Sequence, residues 1–535
     1  MTSKKIIKLS LILSSSIAAL GCAGFMITQK STSKNNQPSK EKITDSENTI
    51  ATCIDTNAPN KHRYSHQLGF TSLKKESSNV VLLIQDSIPD WLKGSFITIG
   101  PSVFELNNST ATHWLDGFAM IHQFTINKNA ILYSNKLIDS FYYQDCCAKG
   151  NLRGSAPEKK KSTWSKLTSV LSTSKRPVYD NTNINIACYD DKLVALTETP
   201  TPLCVDIKTL QTMGKLTFDD TLEAHFASAH PLFDATTQEW FGVAIQYAHT
   251  SNYIIYSMKA GTNKRVPIAS IPVGYPAYMH SFGLTKNYII LTETPFTVSP
   301  YDLLLSDTSF IETFSWQPKT GTHFIVIDRK TGKKIGTYKT ESFFTLHHVN
   351  AFEKDNTIII DLIAYKNPEI ITKAFTYEHL CSQHAQLPAA HLKRFTIDMT
   401  TKKVSEAALS HHALELPQIN ANKLMIEHRY IYATASEHGM ANQLIKLDLH
   451  SNRHHIWHSN NCYPTEPVFV ANPNGKDEDD GVILALVLNA MAQKSFLLIL
   501  DAKTFKEIAR AYVSHHIPFT IHSKFFEISS HTKLH

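Results

Sequence analysis

The sequence contains no Cys-x-x-Cys pair. Its eight cysteines (Cys22, Cys53, Cys146, Cys147, Cys188, Cys204, Cys381 and Cys462) are scattered over 535 residues. That scatter argues against a zinc ribbon, against a thioredoxin-type site and against a fold that depends on disulfides. Cys188 and Cys204 fall in apolar strand-like runs and read as core. Cys146-Cys147, after Tyr142-Tyr143, are expected on an exposed loop. A dense lysine and arginine stripe is also missing. Net charge is +6 with 19% charged residues, so nucleic acid is not implied as a partner. The one local basic run, Lys159-Lys160-Lys161, lies in a Ser- and Lys-rich stretch, 150–176, that reads as a solvated insertion.

What the chain does have is a recurring pattern. An apolar β-rich run ends on Asp or a small polar residue, turn residues follow, and a second β-type run begins. Phe324-Ile-Val-Ile-Asp328-Arg-Lys-Thr-Gly332 and Phe496-Leu-Leu-Ile-Leu-Asp501-Ala-Lys-Thr504 are the clearest copies. Others centre on Asp206, Asp398 and Asp448, with weaker copies at Asn127 and Ser257, where Gly261 matches Gly332. Each copy has the runs and turn residues of a β-hairpin. Repeats of roughly 50 residues read as propeller blades. Seven copies predict an all-β, seven-bladed β-propeller. The longer gaps leave room for insertions that form a cap of loops and short helices over the top face. Length alone would predict several domains, but a propeller is one body of this size. With 42% hydrophobic residues the chain can fill a large core.

Among 27 histidines, four stand in distinctive settings far apart in the chain. They are His230 in Ser-Ala-His-Pro, His280 in Met-His-Ser-Phe, His347 in Leu-His-His-Val-Asn-Ala, and His522 in Ile-Pro-Phe-Thr-Ile-His-Ser. Neutral imidazole is the commonest protein metal ligand. Imidazole without thiolate suits iron, copper or zinc. Ligands this distant meet only if the fold brings them to one axis, which a closed ring of blades does. His225, His348, His515 and His516 are read as neighbours that do not ligate.

The N-terminus is a separate unit. Lys4, Lys5 and Lys8 precede an uncharged stretch, Leu9 to Ile27. This is a basic region followed by an apolar one, as in a targeting signal. Ala19-Leu-Gly-Cys22 resembles a bacterial lipoprotein cleavage box, with Ala where Leu is usual, and the stretch is also just long enough to span a bilayer uncleaved. Residues 1–30 are therefore expected to be a lipoprotein signal or membrane anchor, and 31–60 a flexible linker. The catalytic propeller is expected over 61–535. Membrane association is expected, on a side of the membrane that the sequence leaves open.

From about Leu92 to Phe526 the chain resembles the carotenoid cleavage oxygenases, including the animal branch with the carotene oxygenases and the retinoid isomerase of the eye. The resemblance rests on Gly100-Pro-Ser-Val-Phe-Glu105, on His113-Trp-Leu-Asp116-Gly117 with Met120 and His122, and on Ala195-Leu-Thr-Glu198. It continues through Ala229-His230-Pro231, Met279-His280, Leu346-His347-His348-Val-Asn350-Ala, Glu415-Leu-Pro-Gln-Ile-Asn420, Glu466-Pro-Val-Phe-Val470, Asp477-Glu-Asp-Asp-Gly481 and His522. A family of this kind implies a seven-bladed propeller. It implies that His230, His280, His347 and His522 hold a non-haem Fe(II). It assigns Glu198, Glu415 and Glu466 to the other ring nitrogens, fixing tautomer and basicity.

The implied reaction is oxidative cleavage of a conjugated C=C bond of a carotenoid or apocarotenoid by O2. The animal-branch motifs point to central cleavage of β-carotene to retinal. An apolar tunnel is expected, with Phe141 to Tyr143, Phe296 to Phe310 and Ile370 to Tyr377 as candidate walls. Three alternatives remain open: a stilbene-cleaving dioxygenase, a retinyl ester isomerohydrolase, and a non-catalytic retinoid- or carotenoid-binding propeller. The chain departs from the family at Leu115, usually Phe, and at Thr520 and Ser523, usually glycines. Glycine permits backbone shapes that other residues avoid, so the loop bearing His522 is expected to be shaped differently.

Overall fold

The computed structural model describes residues 65–128, 130–152, 179–189, 192–305, 309–436 and 439–527. The signal or anchor at 1–30, the linker at 31–60, Cys22 and most of the 150–176 stretch lie outside these residues. Among the described residues, no helix is long and apolar enough to cross a membrane.

Every turn predicted from sequence closes the outer hairpin of a different sheet. At one of them Asp328 Oδ1 accepts from the backbone N–H of Lys330 (3.1 Å) and Thr331 (2.7 Å) and from the Thr331 hydroxyl (2.7 Å). The chain then turns through Gly332 at φ 70°. Asp206, Asp398, Asp448 and Asp501 hold their turns the same way. In each case the residue four positions on is left-handed: Leu210, Lys402, Asn452 and Phe505. These side chains pay a steric penalty there, and the Asp side chain's bonds to the turn offset it. The weak copy at Ser257 sits inside its strand, Ser251–Lys259, and the turn comes at Gly261 (φ 79°).

The seven sheets are the blades of a propeller. From the inside outward, blade 1 is His522–Glu527, Gly94–Val103, Phe118–Asn127, Ala130–Leu137 and Ser77–Val81. Blade 2 spans Asn185–Lys215, blade 3 Phe226–Val273, blade 4 Gly283–Thr340, blade 5 His348–Ala408 and blade 6 Ala413–His458. Blade 7 spans Cys462–Tyr512 and takes Leu83–Gln85 as its outermost strand. The ring is closed by both ends of the described chain. His522 pairs with Ile99 in blade 1, and Leu83 pairs with Tyr512 in blade 7. Among the described residues the strands of the blades pair antiparallel throughout.

Packing between blades makes the core. Ile290, Phe324 and Val326 of blade 4 meet Ile358, Ile360 and Phe395 of blade 5. Phe96 and Phe124 of blade 1 meet Leu484 and Ile499 of blade 7. Each fully buried side chain of this size is worth about 1.5–3 kcal/mol.

Several loop segments outside the sheets pack on one another. The Tyr377 hydroxyl donates to the Phe70 carbonyl (2.8 Å), and the backbone N–H of Trp114 donates to the Phe375 carbonyl (2.9 Å). Cys146 and Cys147 are not on an exposed loop as the sequence led us to expect. They lie on a helix, Phe141–Lys149, and Cys146 is fully buried. The Ser140 side chain accepts from Tyr143 N–H at its start, and Gly150 at φ 70° ends it. Cys188 is buried as expected and Cys204 half-buried. None of the six described cysteines forms a disulfide.

Candidate metal centre

His522 opens the innermost strand of blade 1. His230 lies between the two short inner strands of blade 3. His280 lies three residues before the inner strand of blade 4, and His347 directly precedes that of blade 5. One strand end from each of four blades thus delivers one imidazole to the axis. Their ligand nitrogens all lie within 4.8 Å of one another. Nε2 of His230 is 2.9 Å from Nε2 of His280, and Nε2 of His347 is 3.3 Å from Nε2 of His522. Two nitrogens each about 2.1 Å from one ion stand roughly 3.0 Å apart at right angles and roughly 4.2 Å apart at opposite poles. The cluster fits a single metal ion. Four histidines and no thiolate form a donor set for a redox-active or Lewis-acid metal rather than a closed structural zinc.

The three blades that provide no histidine provide the glutamates. Glu198 follows a blade 2 strand, Glu415 is in the inner strand of blade 6, and Glu466 lies between the inner strands of blade 7. With Nε2 turned to the metal, Nδ1–H of His280 donates to Glu198 Oε1 (2.7 Å). That of His347 donates to Glu415 Oε2 (2.6 Å), and that of His522 to Glu466 Oε1 (2.9 Å). Among the described residues, no hydrogen bond joins His230 to a carboxylate.

These carboxylates are themselves held. The Tyr278 hydroxyl donates to Glu198 (2.8 Å), and the Tyr365 hydroxyl to Glu415 Oε1 (2.6 Å). Glu466 accepts from the Gln418 amide (2.8 Å) and from Ser523 N–H (2.6 Å). Glu415 owes its aim to a bulge: Leu416 has φ 52°, and the strand register shifts between Glu415 and Gln418. Tyr278 and Tyr365 escaped the sequence reading. The available signal was Tyr278 two residues before His280, which places both side chains on one side of an extended segment.

Burial and the three neighbouring imidazoles hold His230 well below the usual histidine range, and burial brings His522 to about 4. Both therefore present a neutral imidazole, the form that binds metal. His347 goes the other way. Burial opposes its protonation, but the Glu415 carboxylate outweighs that and raises it. Burial would raise Glu415 and Glu466, yet their partners His347 and His522 bring both below the ordinary carboxylate value.

His348 is turned away from the cluster. One ring nitrogen meets the Ser281 hydroxyl and the other the Thr292 hydroxyl, each at 2.7 Å. His225, His515 and His516 also lie outside the group. The two glycine replacements near His522 are absorbed. Neither Thr520 nor Ser523 has a positive φ, so the expected change in loop shape does not arise from lost glycine freedom. The Ser523 hydroxyl bonds Thr98 (2.9 Å), and Thr98 bonds Thr520 (2.7 Å).

A cavity partly open to solvent reaches His280 and His347. Its walls are mainly apolar, among them Phe70, Trp114, Leu115, Leu346, Ile371, Phe375 and Phe519. Of the three wall segments expected from sequence, only 370–377 lines it, through Ile370, Ile371 and Phe375. Tyr142 and Tyr143 are buried against Phe118, and Phe296 packs on Phe314 and Phe344 in the core.

A sequence profile described as Retinal pigment epithelial membrane protein matches residues 70–527. Beta,beta-carotene 15,15'-dioxygenase of Homo sapiens is 29% identical over 514 residues, covering 84% of this chain and 93% of that protein. The mitochondrial carotenoid-cleaving dioxygenase of Macaca fascicularis is 28% identical over 527 residues, covering 86% of this chain and 94% of that protein. Among solved structures, cobalt-substituted Synechocystis apocarotenoid oxygenase superposes with a TM-score of 0.77 at 24% identity, covering 88% of this chain and all of that one. The likeness in sequence extends over the whole propeller, and the chain belongs to the retinal pigment epithelial membrane protein family, which includes the carotenoid cleavage oxygenases its motifs resemble.

Proposed function

We propose that this protein is an Fe(II)-dependent dioxygenase that cleaves a conjugated C=C bond of a carotenoid or apocarotenoid. The observation that carries the reading is the apolar cavity that ends on two of the four clustered histidines. His230, His280, His347 and His522 would hold the iron. Iron bound there would supply open positions for oxygen chemistry. The chain's own residues do the rest. Glu198, Glu415 and Glu466 fix the imidazole tautomers, and Tyr278 and Tyr365 fix the glutamates. The cavity walls hold the polyene extended and keep water from the double bond.

The atoms balance as one C=C and one O2 giving two carbonyl groups. Central cleavage of β-carotene to retinal is the preferred form, in keeping with the animal-branch motifs. Association with a membrane through residues 1–30, as lipoprotein or anchor, would bring the propeller to its lipophilic substrate.

Oxygen uptake measured beside carbonyl formation tests the reaction. One O2 consumed for every two carbonyls supports the reading. Product formed without oxygen uptake would point instead to isomerohydrolysis.

A further inference from the structure

Lys524 lies on the innermost strand of blade 1, His522–Glu527, and is half-buried. Lysine is mostly exposed, and a buried one is ordinarily paired. Among the described residues, no hydrogen bond or ion pair engages the Lys524 ammonium.

The strand fixes where its charge acts. His522 pairs with Ile99 and Lys524 with Ile97, with no break in register between them. Side chains two residues apart in a strand leave on the same side, about 6.7 Å from one another. Lys524 therefore follows the ligand His522 one step along the same side of the strand. The charge is felt by two members of the metal centre. After burial and the three imidazoles, it further lowers His230. After His522, it further lowers Glu466 against burial.

The charge balance of the centre gives such a cation a use. Four imidazoles and three carboxylates surround the position of the ion. A divalent ion leaves that group with a surplus of negative charge, whereas a trivalent ion neutralises it. Left alone, the group favours ferric over ferrous iron. An ammonium beside it acts the other way, because it repels the higher charge more strongly.

We propose that Lys524 tunes the metal centre through its charge, holding bound iron in the ferrous state. This rests on the proposed iron site. The ammonium acts through space on the ion and its ligands and needs no contact with the polyene.

The test reads bound metal rather than turnover, on the full protein as wild type, Lys524→Arg and Lys524→Met. The Fe(III)/Fe(II) midpoint potential is measured by redox titration with the ferric ion followed by electron paramagnetic resonance. Co(II) affinity is measured by competition with a chelator. Lys524→Met should shift bound iron roughly tenfold toward the ferric form, a potential lower by about 59 mV. It should also bind Co(II) roughly tenfold more tightly. Lys524→Arg keeps the charge and should match wild type in both. Damage to the fold would loosen cobalt, so tighter binding separates a charge effect from a structural one. A Lys524→Met potential equal to that of wild type would overturn the inference, as would the same shift in Lys524→Arg. A wild-type chain that binds neither ion would overturn it together with the iron reading. The expected shift in a protein that holds iron but cleaves no carotenoid would count against the dioxygenase reading and leave the role of Lys524 standing.

Discussion

Oε2 of Glu415 lies 2.6 Å from Nδ1 of His347, and the other carboxylate oxygen accepts from Tyr365. One bulged strand of blade 6 thus sets the tautomer of a histidine carried by blade 5. Glu415→Gln keeps the shape but removes the negative charge and much of the ligand's basicity. Metal affinity or activity should fall by about 10–100-fold with the far-ultraviolet circular dichroism unchanged. Tyr365→Phe should cost much less, since it removes one bond to the carboxylate and leaves its charge.

Gly100 faces the backbone that leads to His522. A Cβ there would stand 2.6 Å from the Thr520 Cα and 3.1 Å from the Phe519 carbonyl oxygen. Backbone cannot yield as a side-chain tip can, so Gly100→Ala should displace residues 519–521 and pull His522 out of register. Metal binding, measured by equilibrium dialysis, should weaken more than thermal stability does.

Asp220, in the connection from blade 2 to blade 3, and Arg265, on the outer strand of blade 3, form a buried pair, with side chains 7% and 8% exposed and a contact of 2.7 Å. Burial would raise the Asp220 carboxyl, but Arg265 outweighs it and holds the group below its ordinary 3.8. A carboxylate lowered in the folded state stabilises the fold above its unfolded value, and that stability is lost as pH falls through the folded value. Denaturant unfolding should therefore show a decline below about pH 4. Arg265→Leu alone should destabilise by about 3–5 kcal/mol at neutral pH, and replacing both partners with leucine should recover most of that.

Ile371 lines the cavity and is not itself a metal-site residue. Ile371→Trp should fill space that a long polyene needs. The KM for a carotenoid should rise by roughly tenfold or more with metal content unaltered. An unchanged KM would place the substrate elsewhere.

The blade count was legible because the same turn chemistry recurs, with Asp Oδ1 capping backbone amides and a left-handed residue four positions later. The weak copies at Asn127 and Ser257 lack that Asp, and Ser257 is the one that landed inside its strand. The histidines were legible from their settings, and the resemblance separated His347 from His348. The glutamates came from the resemblance alone, because nothing local shows that Glu198 reaches across to another blade. The cavity wall was read poorly. Phe70, Trp114, Leu346 and Phe519 come from segments far apart in sequence, and aromatic content alone could not tell Phe375 from Phe296, which is core. Cys146-Cys147 was misread because the capping pair that makes its helix, Ser140 and Gly150, flanks the motif rather than lying in it.

The measurement that bears most directly on the metal centre is an Fe(II) titration made anaerobically, with bound metal measured in each sample and carotenoid cleavage measured after O2 is admitted to it. Wild type should bind one Fe(II) per chain, with cleavage rising in proportion to occupancy, and His347→Ala should lose both. Cleavage at full rate by metal-free protein, or by His347→Ala, would contradict the proposed site.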